Sequence, residues 1–105
     1  MAWPKIRLSR QTVQVLDLFL DSPKDWKHGY DISRNTGLMS GTLYPILMRL
    51  AEHKLLETCW EAAEVGRPPR HLYRFTPEGL RFAREQRAFR ASRGESRVAL
   101  KGVKS

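Results

Sequence analysis

A chain of 105 residues has room for one compact domain with a single core, and not for two. With 41% hydrophobic and 29% charged residues it has the balance of a folded globular protein, which excludes a disordered chain. One cysteine excludes an intrachain disulfide framework, no apolar run reaches 18 residues, and a net charge of +8 fits an anionic partner such as nucleic acid.

The charge is unevenly placed. Residues 1 to 80 hold 11 basic and 9 acidic side chains, while residues 81 to 105 hold 8 and 2. Lys5, Arg7 and Arg10 are not followed by an apolar stretch of signal-peptide length, so the expected compartment is a reducing cytoplasm, with no membrane partner.

Ser9 is placed to cap a helix from about Arg10 to Asp21, with Val13, Leu16, Phe19 and Leu20 expected on one face. Ser22 and Pro23 end it, and residues 24 to 28 read as a loop. Gly29 then precedes a helix of about two turns, its buried side set by Tyr30 with Ile32 or Ser33, and Gly37 ends it by accepting a positive φ.

The most informative stretch runs from Ser40 to Leu50. Leu43, Ile46, Leu47 and Leu50 recur at i, i+3, i+4 and i+7 and share one side of a helix, while Thr42, Tyr44 and Arg49 lie on the other. If Ser40 caps this helix, Pro45 deprives Gly41 of a backbone partner; if Thr42 caps it, the proline falls where an amide would be unpaired anyway, so a Thr42 cap or a tight first turn is expected.

From Leu55 the helical period stops. Leu56, Thr58 and Trp60 alternate with Glu57, Cys59 and Glu61, the behaviour of a strand. After the break at residues 65 to 70, Leu72, Tyr73, Arg74 and Phe75 form a second strand, giving a β-hairpin whose tip is basic and stiffened by Pro68 and Pro69. Thr76, Pro77 and Glu78 start the last helix, expected to run to about Ala91. Leu80, Phe82, Ala83 and Phe89 form its apolar side, and Arg81, Arg84, Arg87 and Arg90 wind round the other. Residues 92 to 105 read as a flexible basic tail after a domain spanning 1 to 91.

The expected class is mainly α with a small β-hairpin (α+β), in the order α-α-α-β-β-α. Two short helices joined near a glycine, followed at once by a hairpin, match a winged helix-turn-helix. The recognition helix is then 40 to 53 and the wing 60 to 75. Ser40, Gly41, Thr42 and Tyr44 are the candidates for phosphate or base-edge contact, with Arg49 further along the same front. Arg67 and Arg70 flank the two prolines, a rigid mount for presenting guanidinium groups to a minor groove. Lys27, His28 and Tyr30 stand at the start of the preceding helix, a position suited to a phosphate.

No HExxH, CxxC or close acidic cluster provides a metal site, and no glycine-rich phosphate loop or nucleophile elbow is present. The expectation is no enzyme, no metal and no cofactor, with Cys59 a small half-buried hydrophobe. Surplus apolar surface at both ends, from Val13, Leu16, Phe19 and Leu20 and from Leu80, Phe82, Ala83 and Phe89, points to a second copy of the chain.

Residues Gly29 to Ile32, the run Gly41-Thr42-Leu43-Tyr44-Pro45, Leu47 with Arg49 and Leu50, Leu55 and Leu56, Trp60, Gly66 to Arg70, Tyr73, Phe75 with Thr76, and Gly79 together resemble the PadR family of bacterial transcriptional regulators. The resemblance covers roughly residues 10 to 90. It implies a winged helix-turn-helix, a homodimer joined through the first and last helices, and repression by binding double-stranded DNA at an inverted-repeat operator. The length is similar to the short form with a single C-terminal dimerisation helix. Some members also bind a small-molecule effector at the dimer interface, and no motif here marks such a pocket. Two features depart from the pattern: His53 and Lys54 replace the glycine usual after the recognition helix, and the basic tail is unexplained. The reading from a different class is an RNA-binding or protein-interaction module built on the basic last helix and tail.

Overall fold

The computed structural model describes Ile6 and residues 8 to 102, with side chains described as far as Arg93. Its elements are α1 (Arg10–Asp21), β1 (Lys27–His28), α2 (Gly29–Thr36), α3 (Ser40–Glu52), β2 (Leu56–Glu61), β3 (Arg70–Phe75) and α4 (Pro77–Gly102). This is the expected winged helix-turn-helix with one addition. The segment read as a loop contributes β1, which pairs antiparallel with β3 and makes a three-stranded sheet in the order β1-β3-β2.

Ser9 caps α1 as its sequence position predicts, its hydroxyl accepting the Thr12 N–H at 3.2 Å. The buried face is Thr12, Val15, Leu16 and Phe19, one step round from the expected one. Thr12 is tolerated inside because its hydroxyl pairs with that of Ser9 at 2.9 Å, and Val13 and Leu20 are left half-buried at the edges. In α2 only Ile32 and Gly29 are buried; Tyr30, expected on the inner side, is exposed. Gly37 ends α2 at φ 77°, its N–H donating to the Ser33 carbonyl.

Helix α3 starts earlier than Pro45 alone predicts. Met39 is the N-cap, with the N–H groups of Thr42 and Leu43 both donating to its carbonyl at 2.9 Å, so Thr42 is inside the helix. Pro45 therefore deprives the Gly41 carbonyl of its helical donor, a loss made small by the exposure of Gly41 to solvent. Leu43, Ile46, Leu47 and Leu50 are all buried, as their spacing requires. The helix ends in a Schellman motif, with Leu55 N–H donating to the Leu50 carbonyl and Lys54 N–H to that of Ala51, each at 2.9 Å. Lys54 stands at φ 61°, the left-handed conformation that glycine ordinarily supplies.

Thr76 caps α4 and also ties it to this turn: its hydroxyl oxygen accepts the Gly79 N–H at 2.9 Å while its O–H donates to the Lys54 carbonyl at 2.6 Å. The helix continues to Gly102, so residues 92 to 102, expected in a flexible tail, are helical; residues 103 to 105 lie outside the described ones. Arg, Ala, Glu, Leu and Lys make up six of its eleven residues and favour helix, while Gly94 opposes it and Gly102 stands at its end.

The core joins α1, α2, α3, the sheet and the first turns of α4. Phe19 meets Phe75 with ring centroids 5.4 Å apart, and Arg90 reaches Asp17 at 3.0 Å to hold α4 against α1. Leu16, Phe19, Phe82 and Ala83 all belong to this core. Fully burying a side chain as large as leucine or phenylalanine contributes about 1.5–3 kcal/mol. The apolar area of these four, expected at a dimer surface, is covered within one chain.

Candidate nucleic-acid interface

The buried back of α3 fixes its front. With Leu43, Ile46, Leu47 and Leu50 in the core, Ser40, Gly41, Thr42, Tyr44, Met48 and Arg49 face outward. Tyr44 is held at its far end: a Cβ on Gly29 would lie 2.4 Å from the Tyr44 hydroxyl oxygen. The glycine that opens α2 thus admits the ring that lies across it.

At the start of α2 the three candidates separate. The Lys27 ammonium turns toward α1, bonded to the Ser22 hydroxyl and 5.9 Å from the Phe19 ring centroid. His28 is clamped between two carboxylates, with Nδ1 3.1 Å from Asp31 and Nε2 3.5 Å from Glu61. Only Tyr30 projects into solvent, with the Arg34 guanidinium over its ring at 5.8 Å.

The hairpin carries three cation–anion rungs along its length. Arg74 reaches Glu57 at 3.4 Å near the base, Arg70 reaches Glu61 at 2.6 Å in the middle, and Arg67 reaches Glu64 at 3.3 Å at the tip. Register explains the first two, because Glu57 lies opposite Arg74 and Glu61 opposite Arg70. The middle rung is the tightest, with both Nε and Nη2 of Arg70 donating to one Glu61 oxygen. That donation, aided by His28, holds the Glu61 carboxyl below its ordinary pKa of 4.5 against a smaller opposing effect of burial. The tip rung is exposed on both sides, and exposed pairs of this kind contribute only about 0–1 kcal/mol, so Glu64 holds Arg67 weakly. Gly66 makes the tip turn at φ 80°, between the bridged residues Glu64 and Arg67.

A second feature of this face went unrecognised among the candidates. Trp60 and His71 pair across β2 and β3 and stack with centroids 4.5 Å apart and planes 9° from parallel. His71 Nδ1 is 3.1 Å from the Tyr73 hydroxyl, and the Tyr73 ring is buried, which with the nearby Tyr44 raises its pKa above the ordinary 10.0. These side chains and Met48 border a concavity of about 690 Å³ between α3 and the hairpin. The alternation of Thr58 with Trp60 and of His71 with Tyr73 was the sequence signal; it shows one strand face but not the helix opposite.

The arrangement offers hydroxyls, guanidinium groups and aromatic edges, and no group of three possible metal ligands occurs among the described residues. No helix among them is long and apolar enough to cross a membrane.

Comparison with known proteins gives the same picture. A PadR-like transcription factor from Bacteroides fragilis is 28% identical, with a TM-score of 0.72 over 87% of this chain and 92% of that one. A PadR family regulator from Eggerthella lenta DSM 2243 is also 28% identical, with a TM-score of 0.70 over 87% and 84%. The PcaV transcriptional regulator from Streptomyces coelicolor, solved in complex with its natural ligand, is 25% identical with a TM-score of 0.70 over 89% and 62%. No curated protein matches the chain. The family model for the transcriptional regulator PadR-like family matches residues 23–85, more than half of the sequence and the whole of the α2, α3 and hairpin unit. By that match and the shared fold, the chain belongs to the PadR-like family of transcriptional regulators, a family of DNA-binding proteins and not of enzymes.

Proposed function

We propose that the chain acts as a homodimeric repressor that binds an inverted-repeat operator, with α3 in the major groove and the β2–β3 hairpin over the neighbouring minor groove. The observation that carries this reading is the two-sidedness of α3. Four apolar residues anchor its back, and Ser40, Gly41, Thr42, Tyr44 and Arg49 stand exposed in front. Arg67 at the hairpin tip adds a cation whose present partner is weakly held.

The dimer rests on α4. This helix has 26 residues, roughly 39 Å of length at 1.5 Å per residue, and among the described residues its core contacts come from Leu80, Phe82 and Ala83 in its first turns. Phe89 is 59% exposed beyond them, with the Arg93 guanidinium over its ring at 5.5 Å. A second copy covering Phe89, with Val13, Leu20 and Leu80 at the margins, would place two α3 helices about one helical turn of DNA apart.

Selection of duplexes from a random pool tests both parts at once. The expected product is a symmetric site with half-sites about 10 base pairs apart, bound by a species that sediments as a dimer. A chain that enriches no duplex and prefers single-stranded RNA in direct competition, or binding that resides wholly in the basic residues of α4, would replace this reading with the interaction-module one.

A further inference from the structure

Large apolar side chains are rarely left in water together without a reason. Seven are exposed among the described residues, and four of them, Tyr30, Tyr44, Met48 and Trp60, border the single concavity between α3 and the hairpin. Trp60 is 67% exposed and Met48 60% exposed. Neither contributes to the core, so both are available to a partner.

The surface is already rigid. Trp60 is fixed by its parallel stack on His71, His71 by Tyr73, and Tyr73 by burial, while Tyr44 is seated on Gly29. A partner that lands here meets aromatic side chains already braced by their neighbours, so the ordering entropy that opposes contact falls mainly on Met48.

Geometry identifies the partner, given the operator reading above, on which this inference rests. A duplex alternates major and minor grooves, and one sugar–phosphate strand separates each groove from the next. If α3 enters a major groove and the hairpin tip the adjacent minor groove, the separating strand must pass through the concavity between them. The walls suit its sugars better than its phosphates. They are mainly aromatic and thioether carbon, and the guanidinium at the edge, Arg70, is already neutralised by Glu61.

We infer that the Trp60–His71 stack and Met48 form an apolar seat for the deoxyribose rings of the strand running between recognition helix and wing. The seat supplies van der Waals contact independent of base sequence and of counterion release, and it fixes the spacing at which helix and hairpin straddle that strand.

The test uses the full chain on a duplex obtained by selection, comparing wild type with Trp60→Ala and Trp60→Ala/Met48→Ala. Both positions are exposed, so the variants should keep the thermal unfolding midpoint of the wild type. The double variant is expected to bind about tenfold more weakly at every salt concentration with the same slope of log affinity against log salt, because no phosphate contact is lost. Hydroxyl radicals cleave by taking hydrogen from deoxyribose, so wild type should protect two or three consecutive sugars on the separating strand, and the double variant should leave them open. Equal affinity and an equal footprint in the variant overturn the seat while leaving operator binding intact, and so does a reduced salt slope, which would make the contact ionic. A wild-type chain that enriches no duplex overturns the operator reading and the seat with it.

Discussion

Gly79 lies so close to Leu55 that a Cβ at position 79 would stand 1.8 Å from the Leu55 carbonyl oxygen. That carbonyl also accepts the Thr76 N–H at 3.1 Å, so the first turn of α4 rests directly on the turn that leaves α3. Since the obstructing atoms are backbone on both sides, neither can rotate away. Gly79→Ala should cost about 3 kcal/mol, read as a lowered urea midpoint with an unchanged slope. A variant as stable as wild type would mean that α4 can shift freely on α3.

The opposite sign is expected at Lys54. A side chain at φ 61° costs roughly 1 kcal/mol relative to glycine, offset in part by glycine's greater freedom when unfolded. Lys54→Gly should therefore stabilise the chain by at most about 0.5 kcal/mol, seen as a small rise in unfolding midpoint. A fall would show that the lysine side chain contributes something its backbone position does not reveal.

How much of this was visible in the sequence depended on whether a signal is local. The i, i+3, i+4, i+7 spacing of Leu43, Ile46, Leu47 and Leu50 defined the buried side of α3, and Ser9, Gly37 and Thr76 marked helix ends through chemistry that acts within a few residues. Strand β1 escaped notice because two residues have no period and become a strand only when Tyr73 and Leu72 arrive beside them. The start of α3 was misplaced because Met39 caps with its backbone alone. At the interface the α3 front and the hairpin arginines were legible as residue types. The clamp on His28, the inward turn of Lys27 and the Trp60 stack depend on contacts between segments distant in sequence or set by folding.

Gly29 is the simplest handle on the position of Tyr44. A methyl group there meets the far end of a side chain that can swing, so Gly29→Ala should change stability by less than about 1 kcal/mol while displacing Tyr44 from its seat. Affinity for a selected duplex should fall about tenfold or more. If affinity holds and stability collapses instead, Tyr44 is a packing residue alone.

The tip and middle rungs of the hairpin should behave differently in salt. Arg67→Ala is expected to lower the salt slope of DNA binding by roughly one, because its weak bond to Glu64 exchanges for a phosphate. Arg70→Ala should leave the slope nearly intact and instead loosen the hairpin, since its guanidinium is engaged by Glu61 through two donors. Equal slopes for wild type and Arg67→Ala would remove the tip from the interface.

The Glu61 carboxyl supplies a pH test. Its folded-state pKa is depressed, so the stabilisation from its pairing is present above the ordinary value of 4.5 and is lost as pH falls through the lowered one. A 13C NMR titration should place the Glu61 midpoint below 4.5 and move it upward in Arg70→Ala, with the smaller share due to His28 remaining. A midpoint unmoved by that substitution would assign the depression to another neighbour.

The three rungs of the hairpin also bear on how quickly the protein finds DNA. Each of Arg67, Arg70 and Arg74 travels with its own glutamate, so from a distance the hairpin presents almost no field. Exposed Arg81, Arg84 and Arg87 on α4 dominate long-range attraction instead. Under the operator reading proposed above, encounter is governed by the helix that carries the surplus charge, and the hairpin acts only at contact, when a phosphate comes near enough to displace Glu64. Neutralising Arg67 together with Glu64 should alter how long the complex lasts, and neutralising the arginines of α4 how often it forms.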